Sequence, residues 1–168
     1  MSATPHASSP VTLFPNAGHD HARCRDWMIG RAESLCQDLG VRFTPQRREV
    51  LEILATSHHC LGAYDILERM AHRDRRPPPA AVYRSLEFLL ELKLVHRMTS
   101  RNAFFACTRA THAAPIQFWI CRHCGVVAES ESMRISEEVS RLAGQLAFCP
   151  ETINVEIEGA CQTCRSTP

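Results

Sequence analysis

With 168 residues, 45% of them hydrophobic, and a formal net charge of +1, the chain has room for one ordinary domain or two small ones, and enough apolar mass for a core. No basic-then-apolar leader opens it, and no apolar run is long enough to span a bilayer. Its nine cysteines are therefore expected in a reducing cytoplasm, where they more often hold metal than pair as disulfides.

The near-zero charge hides a split. Residues 23–109 carry 15 Lys and Arg against 10 Asp and Glu, whereas residues 110–168 carry 4 against 7. An anionic partner is expected at the front half.

Residues 1–22 hold Pro5, Pro10, Pro15 and several Ser and Thr without a helical stripe, and read as a disordered arm. Its His19-Asp20-His21 reads as incidental. Residues 23–109 read as a DNA-binding domain. The first helix is expected over Arg25–Leu39, with Gly40 as its stop. Thr44-Pro45 opens the second, Thr44 capping free amides and proline filling the first helical position; Val50, Leu51 and Leu54 form its buried face. A third helix covers Ala63–His72, and Pro77-Pro78-Pro79 breaks the chain. The fourth, Ala80–Leu92, turns Val82, Leu86, Leu89 and Leu90 inward and leaves Tyr83, Arg84 and Glu87 outside.

Two strands, Leu94–Thr99 and Ala103–Thr108, follow as a hairpin. Helices and a hairpin in this order are the layout of a winged helix-turn-helix, in which one helix enters the major groove of double-stranded DNA. The fourth helix is the candidate: Arg84 can donate to a phosphate or a guanine edge, and Tyr83 can pack on a thymine methyl or a sugar. Arg73, Arg75 and Arg76, just before the prolines, are expected to add backbone contacts.

The last third, residues 110–168, is organised by two cysteine doublets, Cys121-Arg-His-Cys124 and, after 36 intervening residues, Cys161-Gln-Thr-Cys164. Two knuckles of equal spacing supply four thiolates, a closed tetrahedral set suited to Zn(II) with no position left for substrate. Buried or disulfide-bonded cysteines and a redox dithiol are the alternatives; the latter needs only one doublet. Between the doublets lie a short strand at Gly125–Glu129, a helix with the stripe Ile135, Val139, Leu142 and Leu146, and a half-buried strand in which Ile153, Val155 and Ile157 alternate with Asn154, Glu156 and Glu158. Such a unit buries little core alone, so its apolar surface is available to a second copy. The fold class expected is α+β, a winged helix followed by a small zinc-stapled α+β domain.

Thr44-Pro45-Gln46-Arg47, Ala63-Tyr64-Asp65, Val82-Tyr83-Arg84 and Cys121-x-x-Cys124-Gly125 together resemble the ferric uptake regulator family of bacterial metal sensors, over about residues 25–165. The resemblance implies an N-terminal winged helix, a C-terminal dimerisation domain making a homodimer, and metal-dependent binding to palindromic operators, with Tyr64, Tyr83 and Arg84 touching DNA. Neither a small-molecule substrate nor a membrane is expected as a partner. Ala81 departs from the threonine many members carry before Val-Tyr-Arg.

The iron, manganese and peroxide sensors of the family carry a His-His-Asp-His cluster before the first doublet, where this chain has His112 alone. It is more similar to the zinc uptake regulator branch, which implies sensor ligands at His96, Cys107, His112 and Glu129 and a second Zn(II) per protomer, with control of zinc uptake genes.

The hairpin supports two of these ligands independently. If Arg101-Asn102 is a two-residue turn, facing residues have numbers that sum to 203, which pairs His96 with Cys107, their Cβ atoms roughly 5 Å apart. An iron or manganese sensor, a zinc enzyme with an open site at His96, His112 and Glu129, and a structural zinc-ribbon adaptor are the competing readings. Cys24, Cys60, Cys149 and His58-His59 have no assigned role; Cys36 reads as core, with Leu35 and Leu39, and His123 as solvent-facing.

Overall fold

The structure, a computed structural model, describes Phe14 and residues 21–56, 58–71, 77–107 and 115–166. Helix α1 (His21–Asp38) begins earlier than expected, so the boundary drawn after residue 22 falls inside it. Its end is as the sequence requires. Gly40 takes a φ of +64°, which lets the Val41 amide bond to the Cys36 carbonyl at 2.9 Å and the Gly40 amide to that of Gln37 at 3.1 Å. Cys36 is buried, but Leu39 is exposed rather than core.

Helix α2 (Pro45–Ala55) starts where Thr44 Oγ1 accepts the Arg47 amide at 3.3 Å. Helices α3 (Ala63–Ala71) and α4 (Pro79–Glu91) follow, and Val50, Leu51, Leu54, Ile66, Met70, Leu86 and Leu89 from α2–α4 form the centre of the first core.

The wing consists of β1 (Val95–Met98) and β2 (Ala103–Ala106), paired antiparallel. Its register departs from the expectation. His96 faces Phe105 and Met98 faces Ala103, so facing numbers sum to 201. The reason is the connection: Thr99–Arg101 make a 3-10 turn and Asn102 adopts the left-handed region at φ 46°, a four-residue loop in place of a two-residue turn.

The C-terminal unit has a sheet of order β4-β3-β5, made of β3 (Ile116–Cys121), β4 (Val127–Glu131) and β5 (Val155–Gly159), with helix α5 (Met133–Gln145) between β4 and β5. A short helix, α6 (Gln162–Arg165), closes the unit. The central strand β3, antiparallel to β4 and parallel to β5, was not expected, and the strand placed at Gly125–Glu129 begins instead at Val127.

The wing is a shared layer. Val95, Phe104 and Ala106 on one face join the helical core. Met98 and Phe105 on the other pack against Ile116, Phe118, Ile120 and Val127 of the C-terminal sheet. The α2–α3 connection adds a second seam, where His59 pairs with Val126 and the Val127 amide bonds to the His58 carbonyl at 2.8 Å. The opposite side of the C-terminal unit is open: of α5 only Ala143 is buried, and Leu142 and Leu146 are 43% and 76% exposed.

Candidate metal centres and DNA-facing surface

The four doublet cysteines converge. Cys121 ends β3, Cys124 closes the knuckle after it, and Cys161 and Cys164 flank the start of α6; their sulfurs all lie within 4.8 Å of one another. Cys124 Sγ and Cys161 Sγ are 3.8 Å apart, close to the edge of a tetrahedron whose Zn–S bonds are about 2.3 Å. Gly125 makes the turn out of the knuckle at φ +74°, and a Cβ there would stand 3.3 Å from His59 Nδ1. Backbone amides of Cys124 and Cys161 hold the Cys121 thiol down to about 5, which favours a thiolate there. Hydrogen bonding to Cys124 and Cys161 pushes Cys164 up to about 12. A cation bound there would release that proton. The donor set and its spacing fit Zn(II).

A second cluster joins His96, Cys107 and Glu129, whose ligand atoms also lie within 4.8 Å of one another. The corrected register explains how. His96 sits opposite Phe105 rather than Cys107, which makes Cys107, two residues on, its diagonal neighbour on the same face. The Cys107 amide bonds to the Leu94 carbonyl at 2.9 Å, extending the ladder one pair beyond β1 and β2. Glu129 comes from β4, across the seam. His96 Nε2 and Glu129 Oε1 are 3.9 Å apart, beyond hydrogen-bond length, and the ring of Phe118 packs on His96 with centroids 5.1 Å apart. Glu129 is only 1% exposed and Cys107 fully buried. A buried carboxylate beside a buried thiol is an environment that a cation neutralises. Imidazole, thiolate and carboxylate together suit zinc better than harder ions. His112 lies outside the described residues.

On the far side of the winged helix, Tyr64 at the start of α3 is 74% exposed, and Tyr83 and Arg84 project from the outer face of α4. Tyr64 and Tyr83 line one shallow cleft together with Glu87, Arg97 and Asn102, so α3, α4 and the wing meet there. Ala81 is buried, a packing position rather than a presented one. Arg73, Arg75 and Arg76 lie outside the described residues, as do His19 and Asp20.

Of the unassigned groups, Cys60 is half-buried at the seam, Cys149 and His123 are exposed, and His59 is exposed beside the first knuckle. None joins a metal-type cluster among the described residues.

Residues 38–158 match the ferric uptake regulator family. The chain belongs to that family. Its members are transcription regulators, so the open-site enzyme reading falls. The chain is 32% identical over 140 residues to the zinc uptake regulation protein of Escherichia coli (strain K12), covering 82% of this chain and 81% of that one. A solved structure of a zinc uptake regulator complexed with zinc and DNA superposes with a TM-score of 0.79 at 30% identity, over 84% of this chain and 95% of that one.

A regulator solved in two forms sharpens the comparison. Holo XcZur, 29% identical, covers 85% of this chain and 99% of its own with a TM-score of 0.76. Apo XcZur, 30% identical, covers 86% and 99%, and its TM-score is 0.51. Over the whole chain the superposition is thus closer to the holo form than to the apo form.

Among the described residues no helix is long and apolar enough to cross a membrane. The sequence missed the Phe118–His96 packing and the contacts that join the wing to β5. Both depend on β3, whose alternation of Ile116, Phe118 and Ile120 was the available signal.

Proposed function

We propose that the chain is a zinc-responsive transcriptional repressor. It binds palindromic operator DNA as a homodimer in the cytoplasm and controls zinc uptake genes. The observation that carries this reading is the His96–Cys107–Glu129 cluster, because its ligands come from both sides of the seam between the winged helix and the C-terminal sheet. His96 and Cys107 belong to the wing and Glu129 to β4. His112, from the connection, is proposed as the fourth ligand, and Cys121, Cys124, Cys161 and Cys164 hold a structural zinc, giving two per protomer. The domain limits proposed are 23–109 and 110–168, with α1 reaching back to His21.

His96, Cys107 and Glu129 would hold the zinc, whose positive charge would offset the buried thiol and carboxylate and tie the two sides together. The chain does the rest. Wing, α4 and α3 share one core, so fixing the wing fixes Tyr64, Tyr83 and Arg84 as a unit. In a dimer held through the open α5 side, that sets the spacing of two DNA-facing helices, with Arg76 adding a phosphate contact. A free hinge visits many angles, few of which match both half-sites. Metal and DNA affinity are then reciprocally coupled, typically by 1–3 kcal/mol.

The test is footprinting on DNA upstream of the chain's own and neighbouring genes at buffered free Zn(II), Mn(II) or Fe(II). Protection with zinc only, lost in Cys107→Ser while the dimer persists, is the expected result. An equal response to iron or manganese moves the chain to another branch of the family. Binding indifferent to every metal removes the sensor.

A further inference from the structure

We propose that Glu156 is a positioning residue for metal-dependent DNA binding: it clasps the tip of the wing and holds the closed domain arrangement alongside the metal site. The inference rests on the zinc-repressor reading and adds to it a contact that needs no metal.

Three facts carry it. In the C-terminal sheet, Glu129 of β4 pairs with Phe118 of β3, and Phe118 pairs with Glu156 of β5. These three residues form one row, and paired residues point to the same face. That face is covered by the wing. The row therefore touches the wing at three points: Glu129 at the metal cluster, Phe118 against the His96 ring, and Glu156 at the opposite end.

At that end the contact is dense. One Glu156 oxygen accepts the Thr99 amide at 2.7 Å, and the other accepts the Ser100 amide at 3.1 Å and the Ser100 hydroxyl. Two residues on, on the same face, Glu158 accepts from Arg101 Nε at 3.2 Å. Successive amides of a tight turn closing on a carboxylate form an anion nest, and bonds to a charged acceptor are the stronger kind. The donors and the acceptor are more than fifty residues apart in the chain. The contact therefore crosses the seam rather than lying within the hairpin.

The clasp makes a prediction of opposite sign to simple electrostatics. Removing an acid from a protein that binds a polyanion ordinarily tightens binding. If Glu156 is an incidental surface acid, Glu156→Gln strengthens DNA binding. As a clasp, its loss raises the population of open hinge angles and weakens binding.

The experiment uses the full-length dimer. Operator affinity is measured at saturating zinc, and affinity for the more weakly held zinc is measured without DNA, for wild type, Glu156→Gln, Glu156→Ala, Ser100→Ala and the exposed control Glu151→Gln. Glu156→Gln is expected to weaken DNA binding about tenfold, in line with charge-assisted bonds, and to weaken zinc binding in the same direction because both ligands draw on the closed state. Ser100→Ala moves both affinities the same way by less, and Glu151→Gln leaves DNA binding equal or tighter.

Glu156→Gln binding DNA at least as tightly as wild type overturns the clasp, as does weakened DNA binding with unchanged zinc affinity. If the Glu156 variants lose the dimer or the structural zinc, Ser100→Ala, which alters only the wing side, decides by the same two readouts. Wild-type binding that ignores zinc removes the repressor reading and the clasp with it; a zinc-responsive wild type with an indifferent Glu156→Gln removes the clasp alone.

Discussion

Thr44 and Gly125 are single residues whose geometry has a measurable energy. Thr44 Oγ1 satisfies the Arg47 amide that the first turn of α2 leaves open. Thr44→Ala should therefore lower stability by about 1 kcal/mol, read as a shift in the urea midpoint with unchanged slope. Gly125 has no such replaceable partner. Its φ of +74° and the approach of His59 mean that an added Cβ meets both backbone strain and a neighbour at 3.3 Å. Gly125→Ala should cost about 1–2 kcal/mol and speed zinc loss from the four-cysteine site, followed with a chromogenic chelator. Unchanged release would mean that the knuckle tolerates a different turn. Thr44 was legible in the sequence, because a helix cap is written in adjacent letters; Gly125 was placed in a strand, and its turn emerged only from the structure. Glu129 was reached only through the family resemblance and Glu156 not at all: their roles depend on which strands lie side by side, and no local pattern carries that information.

At the scale of elements, the helices of the winged unit followed from apolar periodicity, with ends shifted by a few residues. The hairpin shows the limit of that reasoning. Strand alternation placed His96 and Cys107 on one face correctly, but the loop decides which residues meet. A 3-10 turn with Asn102 in the left-handed region moved the register by two. Since a shift of two preserves the face, the ligands still converge, as diagonal rather than direct neighbours. Strand β3 has no counterpart among the expected elements, although Ile116, Phe118 and Ile120 alternate just before the first doublet.

Helix α5 raises a different issue. Its stripe was legible, yet in a single chain Leu142 is 43% exposed, and among the described residues no segment covers it. A stripe of that kind beside the half-buried edge strand β5 has a second copy as its natural cover. Leu142→Glu should convert the dimer to monomer in sedimentation velocity while leaving the four-cysteine zinc in place. A Leu142→Glu dimer as tight as wild type would place the interface elsewhere.

For the whole molecule, the two candidate metal centres differ in what must be assembled before a metal can bind. Cys121, Cys124, Cys161 and Cys164 all belong to one small unit, on elements joined by the β3–β5 ladder and by the Arg122 amide bonding to the Gly159 carbonyl at 2.8 Å. His96 and Cys107 reach Glu129 only when the wing lies on the C-terminal sheet, so affinity there is reduced by the fraction of molecules that are open. Four cysteines gathered in one unit, against donors divided between the two sides of the seam, imply a wide gap in affinity.

A chelator titration should therefore proceed in two stages. The first removes about one zinc per protomer and abolishes DNA binding, while the dimer and its helical signal persist, because the helical core does not depend on that zinc and the C-terminal unit keeps its knot. The second, under harsher conditions, removes the remaining zinc and dissolves the C-terminal unit, since so small a core depends on its metal. Native mass spectrometry for zinc content, sedimentation for assembly and fluorescence anisotropy for DNA would follow the three quantities together. Simultaneous loss of both zincs with the dimer would contradict the division, because it would make the hinge site part of the same cooperative unit as the cysteine knot. Loss of the first zinc without loss of DNA binding would break the link between the seam and the DNA-facing helix.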